Sequence, residues 1–377
     1  MIGRSMRRAS GSPALHFGLP KRCFRRASLG ALATLTLLLT NAVHGGVVFN
    51  MTAGTIGGGS RWDAAPRNIV IGATPYERSL DGGLRYSMQG GSFQSYRDLF
   101  SWSSVPSVAA FQTAVQQAFD AWKAVDPISG LGTALSFVND PSTLVVGFNS
   151  GGGGLDVRGA EIDLFASNDA GFWNVGNNGT QAETRFGDIG STVTLTSGTI
   201  NYAGSRAISG ADIIVNNNPG AVYTLDLFRR LLSHEIGHAI GLGDVEGSIN
   251  PNAFIDDNFN GANSGTALAT LTNSWTSLVN PLNPAASPLA RYTVPFANPG
   301  TTTPGVNILM ESNGLGIAAG NPVTNLSPMS NDDYGTRQFL YPMVPEPGSL
   351  ALAALGLMSL AAVWLQRRRE PRYRHRG

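Results

Sequence analysis

The sequence predicts an α+β fold: a twisted mixed β-sheet packed with helices, one of them bearing His-Glu-x-x-His. Two observations lead there. Apolar residues recur at spacings of three and four in two long stretches, as on helices that bury one face. Between and around them lie short runs rich in Val, Ile, Leu, Phe and Thr, set off by Gly and Asn, which read as strands and turns. Such an alternation favours helices packed against one sheet.

The elements follow in order. Residues 84–88 form the first expected strand. Val108, Phe111, Val115, Phe119, Trp122 and Val125 then make an apolar stripe on a helix, with Ser107 as N-cap and Pro127 beyond its end. Strands are expected at 135–138, 144–148, 162–165, 193–196, 200–202 and 211–215. The motif helix starts near Thr224, whose hydroxyl can cap it, and runs to Ile240. A closing helix is expected at 332–340, with Ser330 as N-cap and Asp333 in the capping-box position. No internal repeat is present, and residues 46–343 read as one domain with an insertion at about 245–305.

Both ends carry addresses. Arg4, Arg7, Arg8, Lys21, Arg22, Arg25 and Arg26 precede an apolar run at 29–39, and Ala42 and Gly45 offer small-residue cleavage sites. Residues 1–45 therefore read as a signal peptide removed by signal peptidase. Arg25-Arg26 leaves the general secretory and twin-arginine routes both open. At the other end Val344-Pro345-Glu346-Pro347-Gly348 leads into an apolar stretch at 349–365, followed by Arg367, Arg368 and Arg369. That predicts a transmembrane helix at 349–365 with its basic end in the cytoplasm. The Pro-Glu-Pro motif, apolar helix and arginine cluster, in that order, resemble the PEP-CTERM sorting signal. The resemblance implies that residues 344–377 are a transient anchor processed by an exosortase-type enzyme. The product is then exported to the cell envelope surface or the exterior.

With the ends set aside, the charge balance changes. The whole chain has a formal net charge of +1, from 26 Lys and Arg against 25 Asp and Glu. Seven of the basic residues precede residue 46 and six follow residue 345, whereas only Glu346 and Glu370 leave the acidic set. The remaining segment carries about −10. That excludes nucleic acid and anionic membrane surfaces as partners, leaving membrane contact to the C-terminal tail alone. The single cysteine, Cys23, lies in the signal, so the mature chain has no disulfide. Its roughly 300 residues can bury a core without one.

The chemistry concentrates in His234-Glu235-Ile236-Gly237-His238-Ala239-Ile240-Gly241-Leu242-Gly243-Asp244. Residues four apart on a helix share a face, so His234 and His238 can present one ring nitrogen each to a single ion. Glu235, one step round the helix, is placed to act as general base on a metal-bound water. Gly241 can end the helix in a left-handed conformation and turn the chain back, which lets Asp244 reach the same ion. Three protein ligands with one open position are the pattern of a catalytic zinc site. Of five histidines, His16, His44 and His375 lie in the terminal signals, so a third ligand must be a carboxylate. Asp244 is the nearest, with Glu246 as fallback; no glutamate lies between Glu246 and Glu311.

His-Glu-x-x-His-x-x-Gly-x-x-Asp resembles the metzincin zinc-binding motif, with aspartate where most members have a third histidine. Further stretches are similar to the matrixin branch. These are Phe119-Asp120-Ala121-Trp122, the Leu135-Ser136-Phe137 strand, Ala211-Asp212-Ile213-Ile214-Val215 ahead of the motif helix, and Asp332-Asp333-Tyr334 with Gln338-Phe339-Leu340-Tyr341 near the end. Ile308-Leu309-Met310 looks like the Met-turn, with Met329 as its rival. The resemblance implies a zincin-like fold and a zinc-dependent metalloendopeptidase acting on protein or peptide substrates. It implies one catalytic Zn2+ held by His234, His238 and Asp244, with Glu235 as base and Met310 beneath the metal. The alternative is a non-catalytic surface or matrix protein that retains the scaffold.

Three secondary expectations complete the reading. Asp256, Asn258 and Asn260, ahead of Gly261, resemble half of a calcium loop, with Ala267 where the closing glutamate belongs. Asp156, Glu161, Asp163 and Asp169 form an acidic cluster read as solvated loop. The 211–215 strand is expected to border the substrate cleft and to pair with an extended peptide.

Overall fold

A computed structural model describes residues 45–49, 59–71, 74–143, 145, 159–168, 181–190, 193–195, 198–199, 205–244, 254–256, 278–286, 308–310, 329–342 and 356–360. All of them belong to the compact unit Ala42–Gly377. Its main sheet has six strands: β1 (Gly59–Arg61), β2 (Leu84–Met88), β3 (Phe137–Asn139), β4 (Ile162–Ser167), β5 (Ala182–Gly190) and β6 (Ser205–Asn216). The helices are α1 (Phe93–Arg97), α2 (Val108–Lys123), α3 (Leu225–Ala239) and α4 (Asn331–Leu340).

The long strand β6 is the spine of the sheet. Along one side β5 runs antiparallel, from Arg206 opposite Gly190 to Val215 opposite Ala182, with a bulge between Ile208 and Gly210. Along the other side β1 pairs parallel with residues 205–207 and β4 parallel with residues 211–216. Next to β4 comes β2, and next to β2 comes β3, both parallel. Residues 207–216 of β6 are buried without interruption, as expected for a strand covered on both faces.

Two expectations are corrected here. The strand expected at 211–215 is longer and interior; with neighbours on both sides it has no free edge to offer a substrate. Among the described residues that edge belongs to β5, which its sequence does not announce because its residues are half-exposed and mix charge with apolar side chains. The acidic cluster is not a solvated loop either. Glu161 and Asp163 are buried, and Glu161 takes bonds from Arg67 Nε at 2.8 Å and Arg85 Nε at 2.8 Å. The partners come from distant segments, which local composition cannot reveal. Asp156 and Asp169 lie outside the described residues.

The helices begin where their caps predict. Ser107 accepts from Ala110 N at the start of α2, and Thr224 from Leu227 N at the start of α3. Ser330 and Asp333 form a reciprocal capping box on α4. α2 and α3 pack on each other and on the sheet. Trp122 Nε1 donates to Ser233 O at 2.7 Å, Phe111 meets Phe228 with centroids 5.1 Å apart, and Tyr86 of β2 stacks on Phe119 at 4.0 Å. Arg337 of α4, fully buried, donates to Trp122 O at 3.2 Å and Ala124 O at 2.5 Å, satisfying carbonyls that the end of α2 leaves open.

Among the described residues no helix is long and apolar enough to cross a membrane. Of the stretch expected to do so, 349–365, the structure describes residues 356–360, which are helical and exposed. The expected strands at 144–148 and 200–202 fall largely or wholly outside the described residues.

Candidate metal centre

The C-terminal end of α3 is where the site is built. Ile240 is the C-cap, Gly241 N donates to His238 O at 2.8 Å and Leu242 N to Gly237 O at 2.9 Å. That pair of bonds is the Schellman arrangement, and Gly241 has the positive φ it requires, +102°. A Cβ on Gly241 would also overlap Ser60 O. The turn therefore needs glycine twice, for conformation and for space. Beyond it the chain doubles back and brings Asp244 over the helix.

His234, His238 and Asp244 each offer a ligand atom, and these atoms lie within 4.8 Å of one another. Among the described residues they are the one such group of three or more. His234 Nε2 and His238 Nε2 are 2.9 Å apart. Asp244 Oδ1 lies 3.3 Å from the first and 3.2 Å from the second. Both histidines are nearly enclosed, while the Asp244 side chain is 30% exposed and marks the open side.

The other ring nitrogens are occupied. His234 Nδ1 sits 2.6 Å from Leu309 O and His238 Nδ1 2.9 Å from Leu242 O. A carbonyl only accepts, so each Nδ1 carries the proton, which leaves both Nε2 lone pairs aimed at the shared focus. Asp244 Oδ1 is buried there, close to both Nε2 atoms. Two lone pairs and a carboxylate oxygen converging on one point repel unless positive charge sits among them.

The electrostatics say the same. Burial by itself disfavours a charged His234, yet the Asp244 carboxylate, aided by Glu235 and the Leu309 carbonyl, pushes its pKa up to about 9. Burial would raise Asp244, but the two imidazoles hold its carboxyl far below the usual range. The groups around this focus favour positive charge at it. An N2O donor set with its carboxylate partly exposed fits zinc.

Glu235 is buried and lies close enough to His234 to act on its charge. Its Oε2 accepts from Thr184 Oγ1 at 2.7 Å, and the same hydroxyl lies 2.9 Å from Glu235 O. Thr184 belongs to the edge strand β5, which packs against α3. Neither Thr184 nor the two carbonyls that orient the histidines carries a motif signal. Thr184 lies on an unannounced strand, and any residue type supplies a carbonyl.

Met310 is buried against the helix: a Cβ on Gly237 would overlap Met310 Sδ and come within 2.8 Å of Trp122 Cζ2. The preceding carbonyl, Leu309 O, is the one that holds His234. Met329 instead pairs with Val279 in a two-residue ribbon. Asp256 ends a strand at 254–256 that pairs with residues 45–47. Asn258, Asn260 and Glu246 lie outside the described residues.

Residues 344–369 match the PEP-CTERM protein-sorting motif. The chain therefore carries the C-terminal address of an exported protein sorted by an exosortase-type enzyme. No curated protein matches the chain. Among solved structures, a chain titled the GM1-bound form of the ECX AB5 holotoxin is similar over 72% of this chain and 87% of its own, at 12% identity and a TM-score of 0.25. A likeness that weak defines neither fold nor function.

Proposed function

We propose that this exported protein is a zinc-dependent metalloendopeptidase with a zincin-like fold that works at the cell surface or outside the cell. The observation that carries the reading is the convergence of His234 Nε2, His238 Nε2 and Asp244 Oδ1 on one focus, with the Glu235 carboxylate close enough to act on the charge of His234. A zinc ion held by His234, His238 and Asp244 would polarise the scissile carbonyl and lower the pKa of the attacking water. Glu235 accepts the proton of that water and delivers it to the leaving amine. Leu309 O and Leu242 O keep both Nε2 atoms turned inward throughout. Among the described residues β5 pairs along one side only and lies beside the same helix, which makes it the strand that an extended peptide would join.

The test is zinc content and casein cleavage by the exported protein, with and without a chelator. Stoichiometric zinc and chelator-sensitive cleavage are expected. Glu235→Ala should keep the zinc and lose cleavage by at least about 100-fold. Zinc without cleavage of any peptide library would favour the non-catalytic scaffold; a protein that takes up no zinc would refute the metal centre itself.

A further inference from the structure

We propose that the segment Val48–Phe49, nearly 200 residues upstream of the motif, is a positioning element of the metal centre, with Phe49 acting on His238. The inference rests on the metal reading above and adds to it a part that the motif does not contain.

The turn that follows α3 exposes four carbonyls in succession, and each one is taken by a different part of the chain. Ala239 O receives Trp62 Nε1 at 2.8 Å. Ile240 O receives the Tyr341 hydroxyl at 2.7 Å. Gly241 O receives the backbone N–H of Phe49 at 3.0 Å. Leu242 O faces His238 Nδ1 at 2.9 Å. Val48 forms an antiparallel bridge with Leu242, the residue whose carbonyl orients His238. Val48 and Phe49 are thus zipped onto the stretch that sets the His238 ring and leads on to Asp244.

The Phe49 side chain adds a second hold. Its ring lies against His238, with centroids 5.4 Å apart and planes tilted by 52°. On its other side it meets Phe186 at 5.4 Å. Phe186 is on β5, two residues from Thr184, and so on the same face of the strand. One face of the edge strand therefore reaches both working parts of the site, Glu235 through Thr184 and His238 through Phe49. The strap is anchored at its far end too, through the backbone pairing of Gly46 and Val47 with Ile255 and Phe254.

Groups that orient a ligating histidine typically change metal affinity by about 10- to 100-fold when removed. The experiment measures zinc affinity of the full exported chain by chelator competition, together with the visible spectrum of the cobalt-loaded form. Phe49→Ala is expected to weaken zinc by about 10-fold or more and to alter the cobalt spectrum, with Phe49→Tyr restoring both. Leu84→Ala serves as the destabilised control, a core truncation in β2 towards the other end of the sheet. It should lower the unfolding midpoint and leave zinc affinity unchanged. If Phe49→Ala binds zinc like the parent, or if Leu84→Ala weakens it equally, the strap has no positioning role. A parent chain that binds no zinc would instead overturn the metal centre, and this inference with it.

Discussion

At the scale of single residues, the candidate base is held by one hydroxyl. Thr184 has one proton and two oxygen atoms of Glu235 within reach, and the shorter contact is to the carboxylate. A hydrogen bond to a charged group contributes about 1.5–3 kcal/mol. Thr184→Val should therefore lower kcat of the proposed peptidase by about 10- to 100-fold. KM and zinc content should hold, because neither the ligands nor the β5 backbone is altered. Thr184→Ser keeps the hydroxyl and should recover most of the rate. Equal losses in both variants, followed in a single steady-state series, would show that the methyl group and not the hydroxyl matters. His234, Glu235, His238 and Asp244 were legible in sequence because one helix and one glycine turn bring them together, and both are local events. Thr184 and Phe49 were not, since each reaches the site across a tertiary contact.

Among the elements, the end of α3 carries the greatest demand. Gly241 adopts φ +102° with Ser60 O where a Cβ would stand. A left-handed alanine costs about 1–2 kcal/mol and the overlap about 1–3 more. Gly241→Ala should therefore lose about 2–5 kcal/mol in urea unfolding and bind zinc more weakly, because the turn that returns Asp244 is displaced. Unchanged stability would mean that the turn relaxes at little cost. The starts of α2, α3 and α4 agree with their Ser and Thr caps because a cap is a contact within four residues. β5 carries no such local signal, for the opposite reason. An edge strand answers to the partner strand and the helix beneath it, and its own side chains show little alternation.

For the molecule as a whole, buried charge sets the response to pH. Glu77 is buried, and its pKa is pushed up to about 10, first by loss of solvation and then by Asp163 and Glu161 nearby. The sign follows from the two states. Below the ordinary carboxyl range Glu77 is protonated both folded and unfolded, and the group is neutral in effect. As pH rises from there towards 10, the unfolded chain releases the proton and the folded chain retains it, so stability falls. The loss is at most about 1.4 kcal/mol per pH unit. Glu77→Gln removes this dependence. The variant's advantage over the parent should grow between pH 5 and pH 8 in denaturant unfolding; a gap that stays level would show Glu77 to be ionised in the fold.

Sequence alone determined the address at the C-terminus, the cluster of candidate ligands and the caps that start the helices. All of these are written in consecutive residues, where spacing and side-chain chemistry act over a turn or less. Only the tertiary structure decided that β6 is interior and β5 the edge, that Glu161 is buried between two arginines, and that Val48 and Phe49 lie against the metal turn. Those facts depend on which distant segments exclude water from one another. Burial and strand order are properties of the assembled chain, and no local pattern contains them.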